Sequence, residues 1–171
     1  LVLIDGHSIL NRAFYGVPDL TNAEGLHTNA VYGFLNIMFK ILEEEQADHL
    51  AVAFDLSAPT FRHKMFDAYK GTRKPMPEEL REQVPLIKEA LTAMPEELRE
   101  QVPLMKEALQ TMNIPILTLE GYEADDILGT VAKHCQAEGI EVSIVSGDRD
   151  LLQLADEHIK IRIPKTSRGT T

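Results

Sequence analysis

Three acidic side chains crowd into one predicted helical turn, at Glu123, Asp125 and Asp126. They precede an apolar run that begins at Ile127, so the sequence predicts that a helix starts here. One or two acids at a helix start are explained by capping and by the helix dipole, at about 0.3–1 kcal/mol each. Three acids at one start repel one another unless a divalent cation lies between them, so the turn is a candidate cation site.

Further acids follow short apolar runs along the chain. The runs 1–4, 50–54 and 141–145 have the pattern of strands buried on both faces of a parallel sheet. The acids that come after them are Asp5, Asp55, Asp148 and Asp150. Because parallel strands of an α/β sheet bring their carboxyl ends to one edge, we expect these acids to meet the acidic turn there. The alternative for Asp148 and Asp150 is an N-cap followed by a first-turn acid.

A pocket built from these carboxylates favours hard cations. Oxygen ligands select Mg²⁺ or Mn²⁺ over zinc, which the single cysteine, Cys135, also disfavours. Two such ions about 4 Å apart can activate a water molecule and stabilise the leaving oxygen of a phosphodiester. The predicted chemistry is therefore metal-assisted phosphodiester hydrolysis.

A basic segment follows the second predicted strand. Five cations lie between Arg62 and Lys74 against a single acid, although the formal net charge of the chain is −10. The negative total argues against a general nucleic-acid-coating protein, since such binding neutralises phosphates with Lys and Arg. Phe61, Phe66 and Tyr69 lie among the cations, where aromatic rings could stack on bases. A solvated charged face is the alternative, and Phe61 and Phe66 could equally belong to the core.

Length and composition indicate one globular α/β domain. The 171 residues, 44% of them apolar, suffice for one hydrophobic core, and short apolar strands alternate with helical stripes such as 31–42. No apolar run is long enough to span a bilayer, and no secretory pattern is present. Together with the lone Cys135 this predicts a cytoplasmic protein without a membrane partner. The chain begins at Leu1 within a predicted strand, which indicates that earlier residues were removed or are absent.

The stretch 76–93 is repeated almost residue for residue as 94–111. The 18-residue period equals about five turns of α-helix and would lengthen a helix without rotating its faces. Pro85, Pro95 and Pro103 predict instead helical pieces of about eight residues joined at kinks. A natural tandem duplication and an engineered one both stay open, as does a swapped dimer that exchanges the duplicated helices.

Five short motifs occur in one order along the chain. They are Leu3-Ile4-Asp5-Gly6-His7, Ala53-Phe54-Asp55 with Phe61-Arg62, Tyr69-Lys70 with Arg73, Gly121-Tyr122-Glu123-Ala124-Asp125-Asp126, and Ser146-Gly147-Asp148-Arg149-Asp150. In this order they closely resemble the 5′-nuclease domain found at the N-terminus of bacterial DNA polymerase I, which is related to flap endonucleases and the PIN-like fold. The resemblance implies a single three-layer α/β domain over 1–171, with a mainly parallel central sheet flanked by helices. It places the duplicated segment 75–112 on a helical arch.

The resemblance also implies a function and a set of site residues. The function is that of a divalent-metal-dependent 5′→3′ exonuclease and flap endonuclease, acting on DNA with a 5′ flap or 5′ end in replication and repair. A first ion of Mg²⁺ or Mn²⁺ would be held by Asp5, Asp55, Glu123 and Asp125, with Asp126 close by. A second ion would be served by Asp148 and Asp150. The positions that would contact DNA are Arg62, Lys70 and Arg73.

Two departures from the family pattern shape the expected activity. The family continues into a further Gly-Asp…Ser-Asp-Asn segment and a helix-hairpin-helix that grips duplex DNA, and this chain ends before both. The second metal site would then lack ligands, and the arch carries 18 extra residues. We therefore expect a competent first site with weak or absent cleavage. The alternatives are a non-catalytic fragment that binds metal or DNA weakly and a PIN-like ribonuclease, and whether a polymerase domain follows in the parent protein stays open.

Overall fold

A computed structural model describes residues 1–56, 60–61 and 95–164 of the chain. The strands are β1 (Val2–Asp5), β2 (Leu50–Ala53), β3 (Ile116–Leu117), β4 (Val142–Val145) and β5 (Ile159–Arg162). The helices are α1 (Gly6–Gly16), α2 (Asn29–Glu45), α3 (Glu96–Thr111) and α4 (Ala124–Ala137), with a short 3₁₀ helix over Asp150–Leu154. No helix of the described residues combines the length and the apolar character needed to cross a bilayer.

The five strands form one parallel sheet in the order β3-β2-β1-β4-β5. The central strand is β1, in which Ile4 pairs with Val52 on one side and with Val145 on the other. The strands β2 and β3 lie on one side of β1, and the later strands β4 and β5 lie on the other side. The topological switch point is therefore between β1 and β4. Ligands of open α/β sheets bind beyond the carboxyl ends at such a point. The predicted parallel sheet is confirmed.

Helices cover both faces of the sheet and make three layers. On one face Val2 and Ile4 pack against α1, α2 and α3, whereas Leu3 points to the other face and packs with α4. This alternation follows from the two-residue period of a strand. Because both faces are buried, every side chain of β1 lies in the interior, and its last residue, Asp5, is held rigidly at the edge.

The described part of the second repeat copy is one continuous helix, α3, with Pro103 inside it. The prediction of helical pieces of about eight residues is therefore wrong for 96–111, because the helix continues through Pro103. An internal proline costs about 3 kcal/mol or more, but α3 buries Leu98, Met105 and Leu109 completely, and each such side chain contributes about 1.5–3 kcal/mol. Burial therefore outweighs the lost backbone hydrogen bond.

A side chain of α3 also caps α2. Thr28 occupies the N-cap position, but its hydroxyl donates to the Leu20 carbonyl instead of accepting from the helix. The fully buried Gln101 supplies the acceptor, because its Oε1 receives the backbone N–H of Ala30 at 2.7 Å and of Val31 at 3.2 Å. The second copy is thus part of the core of the domain.

Several sequence predictions fall outside the described residues. They concern the first repeat copy, the basic segment and the three DNA-contact positions, Arg62, Lys70 and Arg73. The assignment of 75–112 to an arch stays a prediction, and so does the single-domain boundary at 1–171.

Candidate metal centre

A cavity of about 790 Å³ opens at the carboxyl edge of the sheet. Its acidic lining residues are Asp5, Asp55, Glu123, Asp125 and Asp148. They come from the ends of β1, β2 and β4 and from the start of α4, four places that are distant in sequence. The expected convergence of these five acids is therefore observed, while their role as metal ligands stays a proposal.

Asp5 is buried at the end of β1 and caps α1. Its Oδ1 accepts the backbone N–H of Ser8 at 3.1 Å, and its Oδ2 accepts the Ser146 hydroxyl at 2.7 Å. Burial raises the pKa of Asp5 above its ordinary value, and the bonds from Ser146 and Ser8 offset part of that rise. The carboxylate is thus both desolvated and oriented.

Asp55 lies two residues beyond β2 and bonds to the start of α4. Its Oδ1 accepts the backbone N–H of Ala124 at 2.7 Å. Its own backbone N–H donates to His7 Nδ1 at 3.2 Å, and the His7 ring meets Phe54 edge-on at 5.2 Å between centroids. His7 therefore helps to place Asp55, a role that the sequence analysis did not assign.

The three acids at the start of α4 have different environments. Glu123 and Asp125 line the cavity, whereas Asp126 forms a capping box with Glu123 and is not among the lining residues. In that box Asp126 Oδ2 accepts the backbone N–H of Glu123 at 3.1 Å. In the structure, the Asp126 carboxylate therefore caps the start of α4.

Electrostatic repulsion between the acids is concentrated on Asp125. Burial, followed by repulsion from Asp5, Asp148, Asp55 and Glu123 in that order, raises the pKa of Asp125 to about 7. A carboxyl group with this pKa is half protonated near neutral pH. A divalent cation in the cavity would relieve the repulsion among all five groups.

Asp148 and Asp150 differ in their position relative to the cavity. Asp148 lines the cavity, and its Oδ1 accepts the backbone N–H of Asp150 at 2.8 Å. Asp150 starts the 3₁₀ helix and is exposed, outside the cavity lining. Asp150 is thus a first-turn acid, as the alternative predicted, whereas the N-cap position is occupied by Arg149 and Asp148 faces the candidate site.

The side chains that line the cavity suit a hard cation that keeps part of its water shell. Within the described residues, no three His, Cys, Asp or Glu side chains are disposed to hold one ion directly. Several carboxylate oxygens accept hydrogen bonds from the protein, as Asp5 and Asp55 show. Magnesium commonly keeps several waters and binds through only one or two carboxylates, so a cavity of this size with five carboxylates in its lining suits it.

An aromatic pair and a cation complete the cavity rim. Tyr122 is exposed and lines the cavity, and its ring lies 5.2 Å from that of half-buried Phe61. The Phe61 backbone N–H donates to the Gly121 carbonyl at 2.7 Å. Arg149 also lines the cavity and was not predicted as a site residue, although its place between Asp148 and Asp150 was visible in the sequence.

Comparison with known families finds one match along almost the whole chain. The family described as 5′-3′ exonuclease, N-terminal resolvase-like domain, matches residues 1–94 and 92–170. The overlap of the two matched pieces falls at the boundary between the two repeat copies, which lies at Met94.

Similar proteins have been characterised in bacteria and in a bacteriophage. DNA polymerase I of Bacillus caldotenax is 48% identical over 171 residues, which are 100% of this chain and 17% of that protein. A 5′-3′ exonuclease of Aquifex aeolicus is 37% identical over 164 residues, which cover 96% of this chain and 50% of that protein. This chain therefore spans half or less of the length of these relatives.

Among solved structures, the 5′-exonuclease of bacteriophage T5 with bound divalent zinc ions superposes with a TM-score of 0.65. The identity is 22%, and the match covers 94% of this chain and 54% of that one. At this identity the likeness concerns the fold, which is the PIN-like α/β arrangement.

Proposed function

The chain belongs to the 5′-3′ exonuclease family, as its N-terminal resolvase-like domain, and we propose that it hydrolyses DNA phosphodiester bonds in a divalent-metal-dependent reaction. The proposed substrate is DNA with a 5′ end or 5′ flap. A polymerase domain elsewhere in the parent protein is part of the proposal, because the relatives include DNA polymerase I. The observation that carries it is the set of five carboxylates around one cavity.

The proposed ligands divide between two ions. The residues for the first ion are Asp5, Asp55, Glu123 and Asp125. Asp148 and Asp150 serve a second ion, and the position of Asp148 in the cavity lining supports its part in this proposal. When bound, the ions supply an activated water and stabilise the leaving oxygen of the phosphodiester. Mg²⁺ and Mn²⁺ are proposed over softer metals because every side-chain ligand is an oxygen.

The protein's own contribution is orientation and desolvation. Asp5 is held by two hydrogen bonds and Asp55 by one to the start of α4, so both carboxylates keep their direction without an ion. Burial of Asp5 and Asp125 strengthens their attraction for a cation. The exposed ring of Tyr122 and the guanidinium of Arg149 border the place where a phosphate would enter.

One observation favours a second candidate, a non-catalytic domain that binds metal or DNA weakly. The described side chains do not close around an ion in this conformation. Cleavage therefore requires that the carboxylates turn toward the ion or bind it through water, whereas weak DNA binding alone requires neither. A PIN-like ribonuclease shares the same carboxylates and differs only in its substrate.

A cleavage assay separates these functions. A labelled 5′-flap DNA is incubated with the chain and Mg²⁺ or Mn²⁺, and with the variants Asp125→Ala and Glu107→Ala, the latter removing an exposed acid of α3. We expect at most weak ion-dependent cleavage by the chain and by Glu107→Ala, and a loss of at least about 100-fold from that level in Asp125→Ala. Mn²⁺ binding without cleavage would support the non-catalytic domain. Preferred cleavage of single-stranded RNA in a competition would support the ribonuclease, and absence of ion binding would contradict the site itself.

A further inference from the structure

A buried hydroxyl joins the two groups of acids at the sheet edge. Ser146 follows β4 directly and is 0% exposed. Its Oγ donates to Asp5 Oδ2 at 2.7 Å and accepts the backbone N–H of Asp148 at 2.9 Å. A hydroxyl has only one proton to donate, and that of Ser146 points to Asp5. A lone pair of the same oxygen therefore accepts the Asp148 N–H.

Ser8, at the start of α1, also links Asp5 to the turn that follows β4. Its backbone N–H donates to Asp5 Oδ1 at 3.1 Å, and its Oγ accepts the backbone N–H of Gly147 at 2.8 Å. A Cβ atom on Gly147 would lie 2.9 Å from Ser8 Oγ, so the close approach requires glycine. The two hydroxyls, the Asp5 carboxylate and the backbone of 147–148 form a closed set of hydrogen bonds, here named the hydroxyl clasp.

The clasp determines where Asp148 lies relative to Asp5. Asp5 ends β1, and the turn that carries Asp148 follows β4, the neighbouring strand. Strand pairing aligns the two backbones as far as Ile4 and Val145. Beyond that pair, hydrogen bonds of the Ser146 and Ser8 hydroxyls hold the turn against Asp5.

We propose that Ser146 is a positioning residue, whose hydroxyl orients the Asp5 carboxylate and the Asp148 turn and thereby sets the affinity of the cavity for a divalent cation. This inference rests on the proposed function, because it assumes that the cavity binds such an ion. Residues that orient metal ligands typically change metal affinity by 10–100-fold when they are removed. Ser146 contacts the ligands and not the ion, so its effect is on their placement.

The same strand provides a matched control. Ser143 lies on β4, is 4% exposed, and donates its hydroxyl to Glu45 Oε2 at 2.8 Å. Ser143 and Ser146 are thus buried serines of one segment, each donating to one carboxylate. They differ in position, because Ser143 pairs with Val2 at the opposite end of β1 from the cavity.

The test measures Mn²⁺ binding by isothermal titration calorimetry on the full chain and on Ser146→Ala, Ser146→Thr and Ser143→Ala. We expect Ser146→Ala to weaken Mn²⁺ binding by about 10-fold or more. Ser143→Ala should bind Mn²⁺ within about twofold of the unchanged chain, although it also loses a buried hydrogen bond. Ser146→Thr keeps the hydroxyl and should restore most of the affinity. Equal Mn²⁺ affinities for Ser146→Ala and Ser143→Ala would overturn the proposal.

Amide hydrogen exchange in the metal-free protein provides a second test, which does not depend on ion binding. We expect the Asp148 amide to exchange faster in Ser146→Ala and to keep its rate in Ser143→Ala. If the unchanged chain binds no Mn²⁺, the proposed metal site fails and the affinity claim falls with it, whereas faster exchange would still support the placement of Asp148. Unchanged exchange would overturn the placement as well. Should Ser146→Ala fail to fold, Ser146→Cys keeps a weak donor of similar size and should give an intermediate affinity.

Discussion

The Asp55 carboxylate accepts the backbone N–H of Ala124 at 2.7 Å, across 69 positions of sequence. Ala124 is the first residue of α4, so one hydrogen bond joins the end of β2 to the helix that carries Glu123 and Asp125 at its start. An acid that is a candidate ligand therefore also holds the neighbouring candidates in place. Substitutions of Asp55 can separate the effect of its charge from the effect of its hydrogen bond to Ala124.

Asp55→Asn and Asp55→Ala should differ in stability. Asparagine keeps an oxygen for the Ala124 N–H, whereas alanine leaves this donor unpaired in a buried position, at a cost of about 1–3 kcal/mol. Urea denaturation of both variants measures the difference in the free energy of unfolding. Equal free energies would show that Ala124 finds another acceptor.

Asp125→Ala and Asp126→Ala should affect different properties, although the two residues are adjacent and identical in type. Asp126 accepts the Glu123 N–H in a capping box, so its removal should cost about 0.5–2 kcal/mol of stability with little change in Mn²⁺ affinity. Asp125 faces the cavity, so its removal should abolish most Mn²⁺ binding. Paired calorimetric and thermal measurements test this, and a larger loss of Mn²⁺ affinity in Asp126→Ala would contradict it.

The raised pKa of Asp125 predicts a pH dependence of stability without metal. Its pKa is about 7 in the folded protein and near the ordinary 3.8 when unfolded, so the folded state holds the proton more tightly. The resulting stabilisation is present below about pH 4 and is lost as the pH rises through 7. Asp125→Asn cannot ionise, so its advantage in melting temperature over the unchanged chain should increase from pH 5 to pH 8. A constant difference over this range would disprove the shift.

Adding and removing metal should change stability reversibly. An ion that binds only the folded state stabilises it by about 2.7 kcal/mol at a concentration of 100 times its Kd. We expect Mn²⁺ to raise the melting temperature of the chain at pH 8 and EDTA to reverse the rise. Asp125→Ala is the control, and an equal rise in that variant would locate the binding elsewhere.

Gln101→Leu should destabilise the domain by about 1–3 kcal/mol, because the N–H groups of Ala30 and Val31 lose their acceptor at the start of α2. Gln110→Leu, on an exposed position of the same helix, should change stability by less than about 0.5 kcal/mol. Chemical denaturation compares the two. A small effect of Gln101→Leu would show that another group caps α2, and Gln83, the same position in the first repeat copy, is the first candidate by sequence.

Much of the architecture was predictable because it depends on local patterns. Short apolar runs predicted the strands that became β1, β2 and β4, and the rule for parallel sheets predicted the meeting of the acids after them, which holds for Asp5, Asp55 and Asp148 but not for Asp150. Gly139, two residues beyond the end of α4, has the positive φ of 76° that favours glycine at a helix end, which is a local signal of the same kind. The predicted division of this helix into pieces of about eight residues was wrong, because burial of one face of α3 outweighs a local preference.

The sequence by itself determined the family, the parallel sheet and the set of acids at its edge, because residue type, spacing and strand order suffice for these. Only the tertiary structure decided that Asp125 faces the cavity while Asp126 caps a helix, and that Ser146, Ser8 and His7 orient the acids. It also decided that Gln101 caps α2. The physical reason is that a hydrogen bond depends on where its partner lies in space, and here the partners are up to 141 positions apart in the chain.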